Sequence, residues 1–307
     1  MCIKIPINIF INSMSRGDKK FVKKTKTFGT YCLLKDIEYV SDGDEYHLLD
    51  IYSPVLNHEN GAMILYIHGG AYVYGKKEYQ TVFSSWFCDQ GFQVVTPNYR
   101  LINNNENVDV LSQVQDIFKV LEFIEEYRLT YHFDTDKLCL LGDSAGGHIA
   151  LLVDLIFHSK ELQAKFNIKK LPNVNIKCIA LNSTMYDFAS LMKIAKKYLS
   201  KKDIKKLFSK NCFSEGYMDN VSPRTYIKNG YKISPLFASS AYKDMFLDQT
   251  LKLKSDVKKY NLNAEFLIET TADKRIGHVY NHFVYEGKGL KCNQAMTSFF
   301  KKHSSIE

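Results

Sequence analysis

A chain of 307 residues with 45% hydrophobic and 24% charged residues holds enough apolar material for a full core, which excludes a disordered or fibrous protein. Its formal charge of +8 raises the question of nucleic acid or anionic membrane as a partner, but no run of about eighteen apolar residues exists to span a bilayer. Seven cysteines, an odd number scattered singly with no Cys-x-x-Cys pair, indicate neither a disulfide framework nor a metal site, and fit a reduced, cytoplasmic setting.

The first residues alternate Ile3, Ile5, Ile7, Ile9 and Ile11, a pattern that predicts a strand, with a docking helix as the alternative. No small-residue cleavage site follows, so this is not read as a signal peptide. Residues 15–30 are polar and Lys-rich and read as a linker. Residues 1–35 are therefore an N-terminal extension, and 36–307 a single domain.

Two short strands are predicted at 36–40 and 46–52, around the turn signal Ser41-Asp42-Gly43-Asp44. Residues 57–61 and 103–107 read as loops. Continuous apolar runs at 62–67, 92–96, 137–141 and 176–181 read as strands of a sheet covered on both faces. Helical spacing fills 79–90, 110–128 and the stretch from Ser144 to about Ser159. Residues 184–232 break this rhythm: they are helical or loop-like, rich in Lys and Tyr, and carry no buried-strand pattern. They predict a cap over the site, with Leu191, Ile194, Tyr198, Leu207 and Phe208 facing inward and the lysines outward. The alternation resumes with a strand at 235–239, a helix at 248–260, a strand at 264–269 and a last helix at about 290–303. Strands alternating with helices give an α/β fold, a mostly parallel sheet with helices on both faces and ligands at the carboxyl ends of the strands.

The chain is organised around Gly142-Asp143-Ser144-Ala145-Gly146-Gly147, where an apolar strand passes through a sharp turn into a helix. Such a turn lifts the Ser144 hydroxyl off the sheet edge, and the helix start aims N–H groups at any oxyanion formed there. Serine needs a base and an orienting acid. His278 lies in a loop after the 264–269 strand, with Gly277 free to turn the backbone just before it, and is the candidate base; His282, followed by the apolar run Phe283-Val284-Tyr285 that reads as packing on the core, is the runner-up, and His303, in the last helix, is remote. By default a histidine is a surface residue. Asp244 follows the 235–239 strand and is the candidate acid, in competition with Asp248, which also reads as a helix cap, and Asp273. His68-Gly69-Gly70-Ala71 lets backbone approach a substrate oxygen. The amides of Gly69, Gly70 and Ala145 then form a candidate oxyanion hole.

Together His68-Gly69-Gly70, Asn98-Tyr99-Arg100-Leu101, the Gly142–Gly147 turn, Leu49-Asp50-Ile51-Tyr52-Ser53-Pro54, Ala241-Tyr242-Lys243-Asp244 and Gly277-His278-Val279-Tyr280 resemble the hormone-sensitive-lipase-like branch of α/β-hydrolase serine carboxylesterases, particularly its bacterial members. The similarity covers about residues 36 to 303. It implies an α/β-hydrolase fold with a small helical cap, Ser144 as nucleophile, Asp244 as acid, His278 as base, a small-molecule ester substrate and no cofactor or metal. Ala71 stands where many relatives have a third glycine, Ala241 where many have glycine before the acid, and the Lys-rich stretch at about 191–230 matches no family pattern. Acetyl groups on sugars are one substrate class; an amidase or formamidase with the same triad, and a binding protein on the scaffold without catalysis, are the rivals. The Lys-rich segment reads as a solvated helix face, not as a nucleic-acid surface, because its apolar residues recur at helical spacing.

Overall fold

The structure, a computed structural model, describes residues 7–55, 62–102, 107–270, 276–285 and 287–304. Eight strands among them form one sheet: β1 (Tyr31–Glu38), β2 (Leu48–Pro54), β3 (Met63–Ile67), β4 (Gln93–Pro97), β5 (Leu138–Asp143), β6 (Ile176–Asn182), β7 (Leu236–Ala241) and β8 (Ala264–Glu269). Their order is β1-β2-β4-β3-β5-β6-β7-β8. Strand β2 runs antiparallel to both its neighbours, and every pairing from β4 to β8 is parallel.

The apolar runs become central strands because both faces are covered. Met63, Leu65 and Ile67 of β3 join one core while Ile64 and Tyr66 join the other, the period-two alternation of a pleated strand. The first core lies under α3 (Val110–Glu126), α4 (Ala145–Phe157) and α10 (Leu247–Lys259), the second under α2 (Thr81–Asp89) and α11 (Gly287–Ser304). Asp109 caps α3 by accepting from the Ser112 amide at 3.0 Å. Helix α4 ends at Phe157, close to the expected end at about Ser159, and a short α5 (Lys160–Lys165), capped by Ser159, follows it, a helix the sequence pattern did not announce.

Residues 184–232 are helical: α6 (Phe188–Tyr198), α7 (Lys201–Phe208), α8 (Tyr217–Asn220) and α9 (Pro223–Lys228). Arg224 ties this layer to the sheet body through Asp256 of α10 (2.8 Å), and holds Asp187 at the start of the layer itself (3.0 Å).

The N-terminal expectation is overturned. Residues Ile7–Lys24 form a helix, α1, the alternative to the strand, and it continues through much of the stretch read as a linker. Met14, Gly17, Asp18 and Phe21 recur at i, i+3, i+4 and i+7 and all face one cavity, and this helical stripe outweighs the short Ile alternation. Ile3 and Ile5 lie outside the described residues, as do the 57–61 loop and most of the 103–107 loop.

Candidate active site

Ser144 sits between β5 and α4 with φ 52° and ψ −115°, a backbone that a serine adopts only when its surroundings impose it. The glycines around it are required by distance. A Cβ on Gly142 would lie 2.4 Å from the Gly146 carbonyl oxygen, and one on Gly146 would lie 2.1 Å from the Ile67 oxygen. The helix thus passes directly against the strands, as the motif predicts.

His278 and Asp244 converge on this serine from separate loops. His278 Nε2 is 3.1 Å from Ser144 Oγ, and His278 Nδ1 is 2.8 Å from Asp244 Oδ1. Asp244 also accepts from Ser240 Oγ at 2.8 Å and from the Phe246 amide at 2.9 Å. Burial works against its charge, but the hydrogen bonds from His278, Ser183 and Phe246 hold it below the usual carboxylate range. An ionised carboxylate only accepts, so Nδ1 carries the proton and Nε2 is free to accept from the serine hydroxyl. Asp248 does not take part: it is exposed in the first turn of α10 and pairs with Lys252 at 2.7 Å. It does not cap that helix either, since Phe246 holds the cap position. Asp273 lies outside the described residues.

The loop carrying Gly69 and Gly70 is fixed by motifs whose physical role the sequence did not reveal. Gly70 has φ 128°, and a Cβ there would lie 1.9 Å from the Tyr74 oxygen. Ala71 and Tyr72 also hold positive φ, which gives a reason for glycine at the position of Ala71 in relatives. Tyr99 Oη donates to the His68 oxygen at 2.6 Å and its ring stacks on His68. Asn98 Oδ1 accepts from the Lys77 amide at 2.8 Å, and Arg100 forks onto Asp116 at 2.6 and 2.8 Å. Buried Lys77 binds Asp36 (2.6 Å) and Asp50 (2.7 Å), so the Leu49–Pro54 motif anchors the same turn from below.

Three buried histidines, His47, His68 and His148, correct the default of surface exposure; only His132 and His158 among the described ones are exposed. His68 is pushed down to about 4 by burial. So is His148, which accepts from Tyr72 Oη at 3.0 Å and donates to the Val221 oxygen at 2.6 Å. This imidazole, one turn into α4, joins the loop of Gly69 to Tyr72 to the 184–232 layer.

His282 is not placed as the sequence suggested. Of the apolar run after it only Val284 is buried; Phe283 and Tyr285 are exposed. His282 Nε2 instead meets Asp143 Oδ2 at 2.6 Å, and Tyr66 donates to the same carboxylate. Burial disfavours both charges, yet the pair holds Asp143 below the usual carboxylate range and His282 above the usual imidazole. Gly277, expected to turn the backbone before His278, has ordinary dihedrals; the left-handed residue is Val279 (φ 48°), held by its amide to Ser183 Oγ at 2.9 Å.

Ser144, His278, Gly69 and Gly70 open into a cavity of about 710 Å³, lined on its far side by Leu191, Leu199, Leu207 and Phe208. Ala145 is buried at the start of α4. Of the residues expected to face inward from the insert, Leu191, Leu207 and Phe208 do so; the side chains of Ile194 and Tyr198 lie outside those described.

Residues 49–256 match the family model BD-FAE. The chain belongs to the BD-FAE family. Its motif set is that of the hormone-sensitive-lipase-like α/β-hydrolases. This BD-FAE chain is 25% identical over 147 residues to an arylesterase of Saccharolobus solfataricus, a match covering 47% of this chain and 46% of that protein. It is 26% identical over 117 residues to an isoprenylcysteine alpha-carbonyl methylesterase of Arabidopsis thaliana, covering 38% and 27% respectively. The chain thus spans under half the length of the curated relatives it matches. The crystal structure of an inhibited esterase B from Lactobacillus rhamnosis superposes with TM-score 0.87 at 24% identity, over 97% of this chain and 95% of that one. A bacterial heroin esterase does so with TM-score 0.70 at 16% identity, over 96% and 92%. Those two structures share the α/β-hydrolase fold with this chain.

Proposed function

We propose that the chain is a serine hydrolase of small carboxylic esters, working through an acyl-enzyme on Ser144. His278 takes the hydroxyl proton as Ser144 attacks the ester carbonyl, and Asp244 holds the imidazole and balances the imidazolium. The tetrahedral oxyanion lies against the amides of Gly69, Gly70 and Ala145; one such donor is worth about 2.7–4 kcal/mol of transition-state stabilisation. His278 then protonates the leaving alcohol, and water releases the acid by the same route. The observation that carries the reading is the unbroken line of hydrogen bonds from Asp244 through His278 to Ser144. The names of the relatives, arylesterase and methylesterase, agree with it.

The apolar lining of the cavity favours acyl or aryl groups over a sugar, so acetylated sugars should be the poorer substrates. A fluorophosphonate probe should label the wild-type protein at Ser144 and leave Ser144→Ala unlabelled. A panel of p-nitrophenyl esters from acetate to laurate, with an aryl formamide and an acetylated sugar, reads the substrate class. Equal labelling of both proteins removes Ser144 from the mechanism, and preference for the formamide turns the reading to an amidase.

A further inference from the structure

The positive charge of this protein is gathered at one place. Stretches 7–24 and 188–213 hold thirteen lysines and arginines against two aspartates, a formal +11 that exceeds the +8 of the whole chain, so the remainder is net negative. The fold brings the two stretches together: α1 packs against α7, and both line the active-site cavity. Arg16, Lys19, Lys20, Lys23 and Lys24 on α1, and Lys201, Lys202, Lys205 and Lys210 on and after α7, are exposed. Both aspartates are engaged within the protein, Asp18 accepting from Tyr74 Oη at 2.6 Å and Asp203 from Ser200 Oγ at 2.5 Å. Among these cations stand two exposed apolar side chains, Ile9 (60% exposed) and Phe213 (39%).

The cations serve the outside of the molecule, not the cavity. Among the described residues no lysine or arginine lines the cavity, whereas the carboxylates of Asp18 and Asp143 do. A single anionic ester inside would meet those two acids and, among the described residues, no lysine or arginine to offset them. An extended anionic surface outside would meet the whole basic face, with Ile9 and Phe213 able to enter its apolar edge. Amphipathic helices with a basic polar face bind anionic bilayers in this way. A nucleic acid would ask for exposed aromatic platforms among the cations, and Phe213 is the one large exposed aromatic of these stretches among the described residues.

We propose that the α1–α7 face seats this protein on an anionic lipid surface, with the cavity mouth turned toward the lipid. The proposal goes beyond ester hydrolysis and does not rest on it, because Ser144→Ala should bind the same surface. The test is sedimentation of the full chain with vesicles of phosphatidylcholine alone or with one third phosphatidylglycerol, at about 0.05 and about 0.5 M NaCl. Binding to the anionic vesicles only, released by salt, is expected. The variant K19E/K20E/K23E/K202E/K205E should bind them roughly tenfold or more weakly, while its turnover of soluble p-nitrophenyl acetate stays at the wild-type level. If that variant loses soluble activity as well, the salt series on the wild type decides. No sedimentation with anionic vesicles at low salt, equal binding to pure phosphatidylcholine, or tighter binding to a single-stranded oligonucleotide overturns the proposal.

Discussion

At Asp244 and Asp143 two carboxylates meet two histidines within one cavity, and only one pair is aligned with Ser144. The difference is directional. His278 has one nitrogen on its carboxylate and the other on the serine, whereas His282 has the same nitrogen against Asp143 and within 3.1 Å of Tyr66. Asp244→Asn should therefore lower kcat by about 10⁴, while Asp248→Asn, a change on an exposed helix face, should leave it intact. A full loss in Asp248→Asn would reverse the assignment. His282→Gln should act on KM and stability, leaving kcat within about tenfold, since the residue touches the cavity but not the reacting hydroxyl. Gly277→Ala should be nearly silent in thermal melting and in kcat, because the nearest atom to its Cβ would be the Lys243 oxygen at an ordinary 3.7 Å. A dead Gly277→Ala protein would mean that the loop needs the glycine after all.

The elements differ in how plainly the sequence announced them. Strands β3, β5 and β6 were legible because burial on both faces leaves uninterrupted apolar runs, and the Gly142–Gly147 turn because only small residues fit a helix pressed on a strand. His278 was singled out by its loop after β8 and by the Gly277–Tyr280 motif, since spacing alone does not separate it from His282. Helix α1 was not, since its buried face is split between the cavity and α7, and neither partner is near it in sequence. The roles of Asn98, Tyr99 and Lys77 were hidden for the same reason: each acts on a residue 21 or more positions away. The insert combines both cases. Its helical spacing was visible, but its ties through Arg224 and through His148 to Val221 were not. These ties make deletion of the insert a poor test of substrate choice, because it would strip the core as well. Filling the cavity is cleaner. Leu199→Trp, at a half-buried lining position, should cut kcat/KM for laurate esters at least tenfold relative to acetate, in line with the ~1–3 kcal/mol a pocket assigns to small changes in fit. An unchanged ratio would place the acyl chain elsewhere.

For the whole molecule, the acid limit is set by imidazoles that fold neutral. His68 and His148 are held down to about 4, against an ordinary value of 6.5, because burial penalises the charged form. Between those values the unfolded chain binds a proton at each site that the folded chain does not, so stability rises with pH across this window and falls as acid is added. By pH 5 each site costs about 2 kcal/mol, a large share of a typical 5–15 kcal/mol total. His47, His158 and His282 pull the other way. Each is held above the ordinary imidazole by an aspartate, so each contributes stability that is full below 6.5 and fades as pH rises through its folded value. The two groups therefore act in opposite directions, and a melting curve alone would blur them. Proton NMR of the imidazole rings separates them. The His148 resonance should stay flat from pH 7 to pH 5 while His282 is already protonated at the lower end. Movement of His148 through half its titration shift near pH 6 would show that its site admits water, and the link it makes between Tyr72 and Val221 would then not hold the loop of Gly69 to Tyr72 in place.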